Sequence, residues 1–284
     1  MVPAHLLSLP PRVTTHRFTK RDTMLYALGV GAGQDGEASD LRFVYEEGLQ
    51  ALPTMASVLA YPGFWQREPQ YGIDWKRVLH AEQSVTAHRP IPVEGEVRGE
   101  LTIEKIIDKG PDKGALLYSL RRMFLEPDGE LLATVRQMSL LRGDGGKGGS
   151  VGTAQAPHLI PQRTPDLRVS LPTRPEQALL YRLCGDYNPL HADPKVAAEA
   201  GLPRPILHGL CTFGVAARAV LRSLCGNDPS RLRRLDGRFT APVYPGEQLD
   251  VSIWKGDGVH ASYQVRVAAR DVIVLNNGYA ELVG

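Results

Sequence analysis

The sequence repeats one plan twice, and this repeat limits the folds that the chain can adopt. The segment Met24–Gly29 resembles the segment Leu179–Gly185, and each precedes an apolar helical pattern and a run of strand-like alternation. Each run also contains a Gly-Glu turn, at Gly95-Glu96 and at Gly246-Glu247. Alternation with a period of two is typical of antiparallel strands. The repeat therefore predicts two related halves, each with a helix and an antiparallel meander.

The two halves are separated by a stretch that is rich in Gly and Pro. We predict a first half over residues 1–142, a linker over 143–165 and a second half over 166–284. The linker has no apolar periodicity, and we expect its glycine-rich opening to be flexible.

Each half contains one strongly apolar helical pattern. Residues 52–61 predict a helix that starts at Pro53 in the first half. In the second half, apolar or small residues recur at spacings of three and four over 207–224. This spacing predicts a central helix with one continuous face that can approach a sheet closely.

Charge and cysteine content exclude several classes of protein. The 284 residues carry 33 Lys and Arg against 31 Asp and Glu, so that the net charge is +2 and indicates neither a nucleic-acid nor a membrane partner. The three cysteines have no C-x-x-C spacing, which indicates neither a disulfide framework nor a zinc site. The N-terminal stretch has no basic region followed by a long apolar run. We therefore expect a cytoplasmic protein.

Three glycines at positions 31, 33 and 36 match the G-x-G-x-x-G spacing of dinucleotide-binding loops. That motif needs a strand before it and a helix after it. Here a helical pattern precedes the glycines and a polar stretch follows them. We therefore interpret them as a loop and expect no cofactor.

The densest polar chemistry of the chain lies between Asp186 and His191. Asp186, Asn188 and His191 occur within six residues, and Pro189 between them prevents a regular helix. In a loop the carboxylate and the imidazole can converge on one small molecule and transfer protons near neutral pH. The alternative is structural: Asp186 and Asn188 cap turns, and His191 is a buried group with satisfied hydrogen bonds.

A helix N-terminus follows this cluster at Gly209. Its unpaired backbone N–H groups can bind a carbonyl oxygen, and glycine permits a close approach. Cys211 lies inside the apolar helix, which favours a buried structural thiol over a nucleophile. Metal binding through His191, Asp193 and His208 has no recognised ligand spacing, so we predict no metal site.

The motif GDYNPLHADP…GLPRPILHGLCTFG resembles the signature of the hydratase 2 family, the (3R)-specific 2-enoyl-CoA hydratases of the MaoC-like group. The stretches LYALGVGA, LRFVYEEGLQALPT, HAEQ and DKG extend the resemblance over the first half. It implies an α+β double hotdog fold, in which two fused repeats each wrap a curved antiparallel sheet round a central helix.

The resemblance also implies site residues. Asp186 and His191 would be the catalytic pair, Asn188 would orient water or substrate, and the Gly209 amide would hold the thioester oxygen. The implied substrate-binding residues are His80, Ala81, Lys109, Tyr187, Pro189, Leu190 and Phe239. Position 81 carries Ala where the family usually has Gly, which leaves less room for a backbone contact.

By the same resemblance, the reaction is the reversible hydration of trans-2-enoyl-CoA to (3R)-3-hydroxyacyl-CoA by a hydro-lyase. The first half has Gly, Ala and Gln where the second has Asp, Asn and His, so we expect it to be degenerate and to bind the acyl-CoA. We expect medium to long acyl chains and a homodimer. The alternatives are a hotdog acyl-CoA thioesterase, because fold alone does not separate the reactions, and a non-catalytic acyl-CoA-binding protein.

Overall fold

The computed structural model describes residues 1–34 and 36–284. The strands are β1 (Arg12–Phe18), β2 (Val78–Ala87), β3 (Gly95–Asp108), β4 (Ala115–Glu126), β5 (Glu130–Leu141), β6 (Leu167–Pro172), β7 (Leu232–Phe239), β8 (Gln248–Lys255), β9 (His260–Val267) and β10 (Val272–Leu282). The α-helices are α1 (Pro3–Ser8), α2 (Lys20–Gly29), α3 (Leu41–Val44), α4 (Gln177–Tyr181), α5 (Pro194–Glu199) and α6 (Gly209–Leu224). Short 3-10 helices lie at Ala38–Asp40, Pro53–Ser57, Trp65–Arg67, Pro69–Tyr71, Trp75–Arg77, Arg182–Cys184, Pro189–His191, Pro229–Arg231 and Ala268–Arg270.

All ten strands join one sheet in the order β1-β3-β4-β5-β2-β7-β10-β9-β8-β6. The two halves of this order correspond strand by strand about the antiparallel pair of β2 and β7, where Ser84 faces Asp236. Two fused hotdog units have this arrangement, so the predicted α+β double hotdog fold and the internal repeat are confirmed. The boundaries of the folding units, at 142/143 and 165/166, stay a prediction.

Helix α6 is the central helix of the second half and is almost entirely buried. It begins at Gly209, two residues after the predicted start, because the N–H of Leu207 donates to the carbonyl of Val243 and His208 has a non-helical ψ of 134°. A side chain at Gly214 would collide with Val30 of the first half, so glycine is what allows the helix to approach that segment.

The first half has a shorter element where a helix over residues 52–61 was expected. A 3-10 helix covers only Pro53–Ser57, and Ala60 then takes a left-handed backbone conformation with φ of 46°. The buried Arg121 donates hydrogen bonds to the carbonyls of Ala56 and Ser57, at 3.0 and 2.7 Å. These carbonyls are therefore held by a side chain where a longer helix would use its own N–H groups.

The linker opening is anchored, contrary to the expected flexibility. The carboxylate of Asp108 accepts hydrogen bonds from the N–H groups of Gly146 and Gly148, at 2.8 and 2.7 Å. The side chain of Asp144 is buried and accepts from the N–H of Asp74 at 3.0 Å. One carboxylate from β3 and one from the linker itself thus anchor a segment that has no apolar pattern of its own.

The glycines at positions 31, 33 and 36 lie in a loop after α2, as predicted, with positive φ values. The N–H of Gly33 donates to the buried carboxylate of Asp40, which also accepts from Arg218 and Arg222 of α6. The loop therefore binds the central helix of the other half. Among the described residues, none of the helices combines the length and the apolar character needed to cross a membrane.

Candidate active site

The loop between α4 and α5 is shaped by two side chains that bind nearby backbone. Asp186 Oδ1 accepts the N–H of Asn188 at 3.2 Å, and Asn188 Oδ1 accepts the N–H of Leu190 at 3.1 Å. The second contact caps the 3-10 helix Pro189–His191. The capping roles considered from sequence are thus present, and they turn His191 inward, so they are compatible with a chemical role for the cluster.

His191 is held in one tautomer. Its ring is 9% exposed, and Nδ1 lies 2.8 Å from the carbonyl oxygen of Ile206. Since a carbonyl only accepts, Nδ1 carries the proton and Nε2 of the neutral ring is an acceptor. Burial lowers the pKa of His191, and the nearby Asp186 charge opposes this only in part. The ring is therefore kept as a base at neutral pH.

His208 is the N-cap residue of α6 and is 1% exposed. Its ring stacks on that of His191, with centroids 3.7 Å apart and planes inclined by 28°. Its Nε2 donates to the backbone carbonyl of Asp186 at 3.1 Å. Burial, with the neighbouring His191, lowers the pKa of His208 to about 3. Sequence reasoning considered this residue only as a metal ligand and did not find its contacts.

One nitrogen of each imidazole and one carboxylate oxygen of Asp186 lie within 4.8 Å of one another. Such a set resembles a metal site in composition. However, imidazole lone pairs lie in the ring plane, and two stacked planes do not converge on one ion at the usual Zn–N distance of about 2.1 Å. The arrangement is better suited to holding and moving a proton.

Gly209, the first residue of α6, lies next to this group. A Cβ at Gly209 would be 3.1 Å from the ring of Phe239, the last residue of β7. The Phe239 ring in turn packs edge-on against His80 of β2, with centroids 4.9 Å apart. The N–H group of Gly209, which helix geometry leaves without an intrahelical acceptor, therefore lies at a wall formed by both halves of the chain.

The first half contributes further groups to the surroundings of Asp186. Burial lowers the pKa of His80 to about 4, and its Nε2 contacts the carbonyl of Glu82 at 3.2 Å. Burial, together with the Asp186 charge, raises the pKa of Tyr61 to about 12. The guanidinium of Arg121 lies over the Tyr61 ring, 5.7 Å from its centroid. No sequence signal marked Tyr61, because it ends an apolar segment without a motif.

Three of the predicted substrate contacts, Tyr187, Pro189 and Leu190, lie on the loop that carries Asp186. Tyr187 is 61% exposed, with the guanidinium of Arg182 over its ring, and Pro189 is also exposed. Leu190 is half-buried, and its carbonyl accepts the N–H of Ile206 at 3.4 Å.

Ala81 and Lys109 are placed by the sheet of the first half. Ala81 is the extra residue of a β-bulge, since pairing with β5 passes from His80 to Glu82. Lys109 is exposed in the turn after β3, at the same end of the sheet as His80. It stands three strand spacings from β2, about 14 Å.

The fold and this site together define a class: a double hotdog protein with a carboxylate and two imidazoles gathered at the N-terminus of a central helix. Residues 156–277 match the MaoC like domain, and residues 16–143 match the MFE-2 hydratase 2 N-terminal domain. The chain belongs to the MaoC-like hydratase 2 family. This membership confirms the resemblance predicted from the motif and the predicted enzyme class, a hydro-lyase.

Relatives and a solved structure match over nearly the full length. A 3-hydroxyacyl-thioester dehydratase Y from Mycobacterium tuberculosis is 41% identical, covering 94% of this chain and 93% of the relative. A peroxisomal enoyl-CoA hydratase 2 from Arabidopsis thaliana is 39% identical, covering 95% and 92%. The crystal structure of a MaoC-like dehydratase from Phytophthora capsici superposes with a TM-score of 0.87 at 33% identity, covering 98% and 97%.

Proposed function

We propose that this chain adds water reversibly to a trans-2-enoyl-CoA and forms the (3R)-3-hydroxyacyl-CoA, with Asp186 and His191 as the catalytic pair. The observation that carries the proposal is their convergence: an acidic oxygen and an imidazole nitrogen lie within 4.8 Å of each other beside the start of α6. The names of the relatives, an enoyl-CoA hydratase and a hydroxyacyl-thioester dehydratase, support the same reaction.

In this mechanism one water lies between the carboxylate of Asp186 and the unprotonated Nε2 of His191. The pair takes one proton from the water as its oxygen bonds to C3, and it returns one proton to C2. The N–H of Gly209 binds the thioester oxygen, where negative charge develops in the enolate. One well-placed donor of this kind contributes about 3–4 kcal/mol in other enzymes. Asn188 uses Oδ1 for the cap, which leaves its NH2 group as the donor that holds water or substrate in this proposal.

The substrate is held by both halves in this proposal. His80 and Phe239 form the wall beside the reacting carbons, and Ala81 offers its backbone. Tyr187, Pro189 and Leu190 line the loop side of the entrance. Lys109 binds a phosphate of CoA, which fits its exposed position at the same sheet end as His80.

We further propose acyl chains of medium to long length. The first half has a five-residue 3-10 helix where the second half has the 16-residue α6, so it contributes a smaller element to the interior. A series from four to sixteen carbons tests this: activity should rise toward the longer chains. Flat activity or a strict preference for four carbons would contradict it.

No cofactor enters this mechanism, because water and the two side chains supply every atom and proton. Hydration should therefore persist after dialysis against a chelator. We also propose that the chain acts in the cytoplasm as a homodimer. Cytoplasmic action fits its free cysteines Cys184, Cys211 and Cys225. Light scattering of the purified protein tests the dimer.

The decisive experiment follows the loss of enoyl-thioester absorbance with trans-2-decenoyl-CoA, together with chiral analysis of the product. Wild type should give the 3R product, and Asp186→Asn and His191→Gln should each be slower by about 10²–10⁴-fold. Asp193→Asn is the matched control, because Asp193 caps α5 and asparagine caps equally well. Release of free CoA thiol would indicate a thioesterase instead. Binding without turnover would indicate a binding protein.

A further inference from the structure

We propose that His208 is a positioning residue that fixes the catalytic pair relative to the N-terminus of α6. This role rests on the proposed hydration reaction, in which His208 itself exchanges no proton. It is distinct from the roles of Asp186, His191 and Gly209, which touch water or substrate.

His208 connects all three parts of the proposed machinery. Its Nε2–H donates to the backbone carbonyl of Asp186 at 3.1 Å, which places the start of the loop. Its ring stacks on His191 at 3.7 Å, which fixes the plane of the proposed base. Gly209, with the proposed oxyanion N–H, is the next residue in the chain. A single side chain therefore sets the distances between acid, base and donor.

The tautomer of His208 suits a fixed support. Nε2 carries the proton, because its partner is a carbonyl, and Nδ1 is buried with no hydrogen-bond partner among the described residues. A buried ring without an acceptor for a second proton stays neutral, in agreement with its lowered pKa. The neutral ring can lie against His191 without charge repulsion.

The ring is also held from behind. Tyr181 packs against His208 with centroids 5.0 Å apart, and Tyr26 of the first half packs against Tyr181 at 6.1 Å. Tyr26 and Tyr181 are 1% and 0% exposed. The rings of Tyr26, Tyr181, His208 and His191 therefore form a continuous packed row from the core to the site. The close packing of the core restricts the movement of His208.

Two substitutions at position 208 separate positioning from mere packing. His208→Leu keeps an apolar filler but removes the donor to Asp186, while His208→Gln keeps an N–H at a similar reach. We expect the leucine variant to lose about 100-fold in kcat, the usual cost of a small misplacement, with KM within about threefold. The glutamine variant should recover at least about tenfold of that loss.

The control is His88→Gln, an identical change just after β2, at the end of that strand away from His80, where Nε2 of His88 lies 2.8 Å from Thr134 Oγ1. It should leave kcat unchanged, and thermal unfolding should show that all three variants are folded. Wild-type kcat in His208→Leu would overturn the proposal. Equal losses in the leucine and glutamine variants would overturn it too, because restoring the donor would then have no effect.

A spectroscopic measurement is independent of turnover. Nitrogen-15 NMR of the imidazoles should show His191 protonated at Nδ1 and His208 protonated at Nε2 in wild type, and shifted or broadened His191 signals in His208→Leu, because the ring that fixes its plane is gone. An unchanged His191 signal in that variant would overturn the positioning role. Absence of hydration by wild type would instead overturn the proposed function, while the NMR result would still report on His208.

Discussion

The imidazole rings of His191 and His208 lie stacked, 3.7 Å between centroids, although neither ring donates to the other. Each ring instead donates to a different backbone carbonyl, that of Ile206 for His191 and that of Asp186 for His208. Both rings are therefore held as single neutral tautomers. Protonating either one would place a charge against its buried neighbour, which opposes protonation of both.

The pH dependence of catalysis should reflect this pairing. Because the pKa of His191 is lowered, its base form persists below the ordinary histidine value of about 6.5. We expect the acid limb of kcat/KM to lie below pH 6.5, measured with decenoyl-CoA over pH 4.5–8. His88→Gln should leave that limb in place. A limb at or above 6.5 would contradict the prediction.

Stability should also fall with acid in a defined window. The pKa values of His80 and His208 are lowered to about 4 and about 3, so between these values and about 6.5 the unfolded chain binds more protons than the folded chain. The contribution of these two neutral histidines to the free energy of unfolding is therefore fully present above pH 6.5. It decreases as the pH falls, by up to about 1.4 kcal/mol per pH unit for each buried histidine. Urea unfolding at pH 7.5, 6 and 5 measures the slope. His208→Gln should have a shallower slope than wild type, and an equal slope would argue against a neutral His208.

Two glycines on α6 should respond differently to the same substitution. In Gly209→Ala the new methyl group meets the Phe239 ring at 3.1 Å beside the proposed oxyanion donor, so we expect about a tenfold loss of kcat with little loss of stability. In Gly214→Ala the methyl group collides with Val30, which should cost about 1–3 kcal/mol of unfolding free energy. Activity per folded molecule should be kept in the second variant. The reverse pattern would refute the assignment of Gly209.

The carboxylate of Asp40 should couple the two halves. It is fully buried and lies 2.7 Å from guanidinium nitrogens of both Arg218 and Arg222 on α6. Burial raises the pKa of Asp40, but the Arg222 hydrogen bond and the Arg218 charge outweigh it, so the group stays charged. Asp40→Asn removes that charge, and we expect a loss of about 3–5 kcal/mol in denaturant unfolding. Asp166→Asn, at the exposed pair with Arg163, is the control and should change stability much less. Comparable losses of unfolding free energy in the two variants would mean that the buried ion pair stabilises the fold no more than the exposed one.

The anchored linker can be tested by proteolysis. Asp108 accepts from Gly146 and Gly148, and its pKa is lowered first by the Gly146 N–H group. Asp108→Ala should release the segment and speed trypsin cleavage after Lys147 several-fold, followed by gel electrophoresis. Asp112→Ala, in the exposed turn beside it, should cleave at the wild-type rate. Unchanged cleavage in Asp108→Ala would show that other contacts hold the linker.

Local chemistry was readable from the chain. Asp186, Asn188 and His191 lie within six residues, and Pro189 prevents an α-helix from running through them, so their joint presence in one loop follows from short-range sterics and turn formation. The periodicity of α6 likewise predicted a central helix, because apolar residues on one buried helical face recur every three or four positions along the sequence. The internal repeat predicted two related halves, each with a helix and an antiparallel meander, since similar segments form similar units. The double hotdog fold itself was implied by the resemblance to the hydratase 2 family.

The tertiary structure decided the rest. The sequence around Pro53 gives no sign that Arg121, far along the chain, donates hydrogen bonds to carbonyls of this segment. These bonds occur where the segment forms only a 3-10 helix. The stacking of His208 on His191 and the approach of His80 to Phe239 join residues distant in sequence. Periodicity and turn chemistry report on neighbours within a few residues. Contacts between distant side chains depend on how complete elements pack, and the free energy of that packing is a sum over the whole core.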